Sequence, residues 1–150
     1  MSPFFHPVNL LNKSLKALDI ELTDKQSDQF IKYYELLVEW NSFMNLTAIT
    51  EFDEVVTKHF VDSVSLVKAV DLNKPLSVID VGTGAGFPGI PLKIAFPDTE
   101  FVLMDSLNKR ISFLNRVIEL LDLKKITAVH GRAEEAGRTA AYREQFDFCV

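Results

Sequence analysis

"SVIDVGTGAGFPGIP", residues 77–91, carries an apolar run as far as Asp80 and then four glycines and two prolines. The apolar run has the length of a buried strand, and the glycines that follow mark a tight turn. Downstream, "EFVLMDS", "KITAVHG" and "QFDFCV" are short runs rich in β-branched and aromatic residues, separated by helical patterns such as "NKRISFLNRVIELL". Strands alternating with helices predict βαβ units, hence an α/β fold with a parallel sheet and right-handed crossovers. The glycine turn then lies at the carboxyl end of the first strand, where open α/β sheets bind ligands.

Upstream of the strand the period is helical. Thr23 followed by Gln26 has the spacing of a capping box. Phe30, Tyr34, Leu37, Asn41 and Met44 recur at helical spacing behind it, with Tyr33 and Trp40 widening the stripe. "NLLNKSLKAL" before it and "EVVTKHFVDSVSLVKAV" after it predict two more amphipathic helices. "DLNKP", residues 71–75, is a linker. The expected organisation is a helical extension over residues 1–72 and the first part of an α/β domain over 73–150. The chain stops inside its fourth strand pattern, so the sheet is expected to be incomplete at that end.

Composition bounds the function. With 150 residues, 47% of them hydrophobic, the chain can bury one sizeable core. Sixteen basic residues against 21 acidic ones give a net charge of −5, so no global positive field draws it to nucleic acid or membrane, and any RNA contact has to be local. One cysteine, Cys149, makes neither an internal disulfide nor a thiolate cage; inside an apolar strand pattern it is expected to be a core residue. No signal peptide or apolar span is visible, so a cytoplasmic protein without membrane attachment is expected.

Glycine spacing narrows the ligand. Gly82, Gly84 and Gly86 form G-x-G-x-G, whereas the dinucleotide fingerprint wants a third glycine at position 87, where this chain has Phe87. Asp80 sits two residues before the first glycine, near the place where a dinucleotide's pyrophosphate would lie. S-adenosyl-L-methionine has no phosphate; it carries an ammonium and a sulfonium, so a carboxylate suits it. Asp80 therefore either reaches the methionine amine or caps the loop by bonding its amides. Asp105, closing the second strand, has the position of an acid that accepts hydrogen bonds from ribose hydroxyls, and it can also cap the helix near Asn108. "HGRAEE", residues 130–135, ends the third strand. Amides near Ala133 and the Glu134 side chain can meet an adenine edge, and the same residues suit an acidic helix start.

Five segments, "YYELLVEWNSFMNLTAIT", "HFVDSVSL", "IDVGTGAGFPGIPL", "LMDSLNKRISFLN" and "HGRAEE", resemble in this order the bacterial ribosomal RNA small-subunit guanine-N7 methyltransferases, also called glucose-inhibited division protein B. The resemblance runs from about residue 30 to the end. It implies a Rossmann-like class I S-adenosylmethionine-dependent methyltransferase fold with an N-terminal helical extension. It also implies methyl transfer to N7 of a guanosine in 16S ribosomal RNA, within the small subunit or an assembly intermediate. Gly82, Phe87, Ala133 and Glu134 match cofactor-contacting positions of that family, and Asp105 matches the ribose acid of the wider class. The family continues past position 150 with further strands and an arginine-containing segment that helps complete the cofactor site.

Guanine N7 has an in-plane lone pair and no proton, so the reaction needs neither a general base nor a cysteine nucleophile, and no catalytic residue is singled out. For RNA, the candidates are Asn41 and Asn45, one helical turn apart, and Lys109 and Arg110, with Arg116 on the same helix pattern. Asn41 and Asn45 can equally bond the end of their own helix, and Trp40 fits the core stripe. His59 and Asp62 form a structural pair in this reading, with no metal. A cofactor-binding or ribosome-assembly module without turnover, and a nicotinamide-dependent oxidoreductase, are the competing functions.

Overall fold

A computed structural model describes residues 5–139 and 142–150. Helix α1 (Phe5–Lys16) leads into α2 (Asp24–Met44). The capping box is formed: the Gln26 N–H donates to the Thr23 hydroxyl at 3.1 Å, and the Thr23 N–H donates to the Gln26 side chain at 2.8 Å. Such a cap stabilises a helix start by about 1 kcal/mol. Gln26 also donates from Nε2 to the Ile94 carbonyl at 2.9 Å, fixing the start of α2 to the α/β part.

The next helical stretch, residues 52–68, is less regular than its sequence pattern predicts. It begins as α3 (Phe52–Val55), widens into a π-helical turn (Val56–Val61), returns to α4 (Asp62–Val64) and tightens into a 3-10 turn (Ser65–Lys68). Val56, Phe60 and Val64 are all fully buried. Their spacing of four drifts around a helix of about 3.6 residues per turn, and a wider turn keeps them on one face.

Four parallel strands follow: β1 (Ser77–Val81), β2 (Glu100–Asp105), β3 (Ile126–His130) and β4 (Phe148–Cys149). Between them run α5 (Gly89–Ala95), α6 (Asn108–Leu120) and α7 (Ala133–Ala136). Strand order is β3-β2-β1-β4. The chain steps outward from β1 to β3 and then returns to the other side of β1. That reversal creates the crevice beyond the carboxyl ends of the strands.

Residues of the helical region and of the α/β region share one buried cluster, including Phe30, Tyr33 and Phe60 together with Ile90, Phe101 and Leu114. The Phe60 ring lies 5.1 Å from Phe30 and 5.5 Å from Tyr33. No helix among the described residues is long and apolar enough to cross a membrane.

Cys149 departs from expectation. It is exposed rather than a core residue. Strand β4 pairs with β1 alone among the described residues, and both its residues are exposed. An apolar strand pattern implies burial only when the sheet continues or is covered on that side.

Candidate functional site

The glycine loop leaves β1 at Gly82 and turns through Gly84 and Gly86, with φ of 71°, 61° and 102°. These left-handed values favour glycine at all three positions. Their surroundings differ. A Cβ on Gly82 or Gly84 would meet nothing within 4 Å, whereas one on Gly86 would lie 2.6 Å from Ile90 Cγ1 and 2.8 Å from the Tyr33 hydroxyl. Gly86 therefore serves close packing, and Gly82 and Gly84 form a bare ledge that a ligand can approach. Gly89, which the sequence did not single out, is a second packing glycine: a Cβ there would run into the Leu103 side chain and lie 2.9 Å from Asp80 Oδ2.

Two buried carboxylates hold this loop. Asp80 is 1% exposed. Its Oδ2 accepts from the Thr83 hydroxyl at 2.7 Å and from the Gly89 N–H at 3.0 Å. Of its two expected roles, the loop cap is the one formed within the chain. Burial pushes its carboxyl up from the ordinary 3.8 to about 6, with the Thr83 and Gly89 bonds opposing the rise and the charge of Asp105 adding to it. Asp105 accepts the Gly84 N–H at 2.9 Å, the Leu107 N–H at 3.0 Å and the Arg110 guanidinium at 3.4 Å. It ties the ledge to the start of α6, and so includes the helix-start role considered for it.

The raised Asp80 pKa has a sign for stability. Folded-state protonation is favoured, so the contribution is fully present below pH 4 and is lost as pH rises through about 6. A shift of this size corresponds to about 3 kcal/mol. Asp80→Asn is expected to unfold at higher urea than wild type at pH 7.5, with the difference fading towards pH 4. An equal difference at both pH values in urea titrations would refute the assignment.

Beyond the strand ends lies a cleft of about 370 Å³ lined by Val81, Gly82, Ser106, Gly131, Arg132, Ala133 and Glu134. It brings together three of the expected residues, Gly82, Ala133 and Glu134. Asp105 adjoins it through its neighbour Ser106, and Gly84 is tied to Asp105 by its N–H. Ser106 and Arg132 join the lining without having been singled out, although both flank residues that were.

Phe87 does not line that cleft. Its ring stacks on His59 at 4.4 Å and 12° and lies 5.6 Å from Tyr33. The Asp62 N–H donates to the His59 carbonyl, but their side chains share no hydrogen bond among the described residues; His59 Nε2 pairs instead with the Thr47 hydroxyl at 2.9 Å. Burial lowers the His59 pKa, and Asp62 opposes this through its charge alone. The helical region thus grips the loop twice, through His59 against Phe87 and through the Tyr33 hydroxyl, which donates to the Ala85 carbonyl at 2.5 Å. Nothing in the sequence announces the second contact, because its partners are 52 residues apart.

Asn41 and Asn45 complete the end of α2. Asn45 adopts the left-handed conformation at φ 51° as its C-cap, with its N–H on the Asn41 carbonyl, and Asn41 Oδ1 accepts the Thr47 N–H at 2.8 Å. Asn41 thus bonds the helix end through its side chain and Asn45 through its backbone. Lys109 is exposed at the start of α6, and Arg110 is drawn to Asp105.

Comparison with known proteins adds an independent line. The family model described as GidB, rRNA small subunit methyltransferase G, matches residues 26–150. The ribosomal RNA small subunit methyltransferase G of Lachnoclostridium phytofermentans is 59% identical over 138 residues, which is 92% of this chain and 57% of that protein. The protein of the same description from Lactococcus lactis subsp. cremoris strain MG1363 is 52% identical over 136 residues, 90% of this chain and 57% of that protein. The chain thus spans less than two thirds of the length of these relatives. Among solved structures, a protein-L-isoaspartate O-methyltransferase superposes with a TM-score of 0.58 at 16% identity, covering 83% of this chain and 42% of that one. An MtNAS mutant in complex with S-adenosylmethionine superposes with a TM-score of 0.54 at 14% identity, covering 99% of this chain and 52% of that one. At such identities the superpositions establish the fold, that of the class I methyltransferases.

Proposed function

The chain belongs to the rRNA small subunit methyltransferase G family, and on that premise we propose that the protein carrying it transfers a methyl group from S-adenosylmethionine to N7 of a guanosine in 16S ribosomal RNA. The observation that carries the cofactor half of the proposal is the ledge itself. Gly82 and Gly84 leave open space at positive φ, and two carboxylates stand directly behind them.

These residues fit S-adenosylmethionine. The amides at Gly82 and Gly84 are bare of side chains, so the cofactor's methionine part can lie against the backbone. Asp80 behind the loop offers negative charge to the ammonium and sulfonium; both its intramolecular bonds fall on Oδ2. Asp105 offers its carboxylate to ribose hydroxyls, while Ala133 and Glu134 line the wall of the cleft where an adenine edge would sit. Gly86 and Phe87 shape the loop from its packed side.

Bound S-adenosylmethionine supplies an electrophilic methyl group. The chain's part is to hold and orient it. Because guanine N7 attacks with a lone pair and releases no proton, no side chain has to act as a base. Holding nucleophile, methyl and sulfur in line contributes on the order of 7–11 kcal/mol to such reactions. Lys109 and Arg110 stand at the start of α6, where Arg110 pairs with Asp105, and are assigned to RNA phosphate in this proposal. The substrate is 16S rRNA within the small subunit or an assembly intermediate, because a chain with net charge −5 gains little from naked RNA at long range.

A thermal-shift comparison tests the cofactor assignment. S-adenosylmethionine is expected to raise the melting temperature of the wild-type protein and NAD is not. Gly84→Val, which fills the ledge, is expected to lose the shift. A larger shift with NAD, or an unchanged shift in Gly84→Val, would contradict it.

A further inference from the structure

Phe43, at the end of α2, is 66% exposed, the highest value among the large hydrophobic side chains of the described residues. Its ring lies 5.4 Å from Trp40, and Trp40 in turn lies 5.7 Å from the buried Phe113 of α6. Lys109, Phe113 and Arg116 follow one another at i, i+4 and i+7, so they form one stripe along α6. Phe113 lies under Trp40, and the exposed Lys109 and Arg116 stand on either side of that contact. Among the described residues Arg116 is engaged by an exposed pairing with Glu119 at 3.5 Å, a contact that phosphate can displace. Glu39, one turn before Phe43, is the acidic neighbour on α2. An exposed ring backed by the half-buried Trp40 and flanked by two exposed cations matches a base with phosphates on either side better than it matches an apolar protein surface.

We propose that Phe43 and Trp40 form a stacking platform for an unpaired base of ribosomal RNA, with Lys109 and Arg116 holding the flanking phosphates. The proposal rests on the rRNA reading given above and names the surface by which that substrate is held. Unstacked bases are recognised by aromatic side chains in this manner, with little dependence on base identity. The platform also connects to the cofactor ledge: Arg110, next to Lys109, pairs with Asp105, which holds the Gly84 amide.

The test uses the full-length protein and two probes, a labelled 16S rRNA transcript and unmethylated small subunits. Phe43→Ala is expected to weaken binding of both probes about tenfold, Phe43→Leu by a similar factor, and Phe43→Tyr hardly at all. Lys109→Ala with Arg116→Ala is expected to weaken binding and to lower the salt slope by about 1.4, the value for two single-strand phosphates. The dissociation constant for S-adenosylmethionine stays at the wild-type value in every variant. Wild-type affinity of Phe43→Ala and of the double variant for the transcript, in a protein that still methylates subunits, overturns the platform alone. Weakening seen with subunits but not with the transcript assigns the surface to a ribosomal protein and also overturns it. A wild-type protein that binds neither probe overturns the rRNA reading together with the platform.

Discussion

Gly86→Ala is expected to cost the fold about 3 kcal/mol, against about 1 kcal/mol for Gly84→Ala. Both residues have positive φ, so both substitutions carry the backbone penalty of a left-handed non-glycine residue. The difference lies in what the new methyl meets. At Gly84 it points into open space, while at Gly86 it lies 2.6 Å from Ile90 Cγ1 and 2.8 Å from the Tyr33 hydroxyl. Neither neighbour yields easily, since Ile90 is fully buried and Tyr33 is fixed by its bond to the Ala85 carbonyl. Urea unfolding of the two variants reads the contrast directly. Equal losses at both positions would mean that φ alone demands glycine and that the helical region does not press on the loop.

Asp105→Ala is expected to reduce affinity for S-adenosylmethionine about 100-fold, because hydrogen bonds to a charged acceptor contribute about 1.5–3 kcal/mol each. The carboxylate is 2% exposed and accepts from Gly84, Leu107 and Arg110, so its removal frees the ledge and the start of α6 together. Arg110→Ala should cost far less, a few-fold at most, since that pairing is long and its arginine is partly exposed. Titration calorimetry on both variants distinguishes the contributions. A loss as large in Arg110→Ala as in Asp105→Ala would place the effect in the ion pair rather than in the amide bonds.

Much of this architecture is legible in the sequence, for identifiable reasons. Period changes at residues 71–75 separate helical from strand patterns, and the capping box at Thr23 and Gln26 forms as its spacing predicts because both partners lie within one turn. The G-x-G-x-G loop is legible because positive φ leaves a glycine signature. What remained hidden is long-range or two-valued. Asp80 suits a ligand and a loop cap equally by residue type, and only coordinates show Thr83 and Gly89 on its Oδ2. Asn41 and Asn45 are two-valued in the same way, open by residue type to RNA and to the helix end, and the structure shows the bonds that end the helix. Cys149 reads as core because an apolar run does not reveal that its strand has one partner among the described residues. His59 and Asp62 share a backbone hydrogen bond but no side-chain one, since the His59 ring lies against Phe87 and Thr47.

Methyl transfer by the full-length protein tests the central assignment most directly. Small subunits lacking the modification are incubated with methyl-labelled S-adenosylmethionine, and the label is mapped on the RNA. Label at N7 of a single guanosine of 16S rRNA, absent with Gly84→Val, is the result predicted. No transfer to unmodified subunits, or label on protein or on another atom of the RNA, would contradict it.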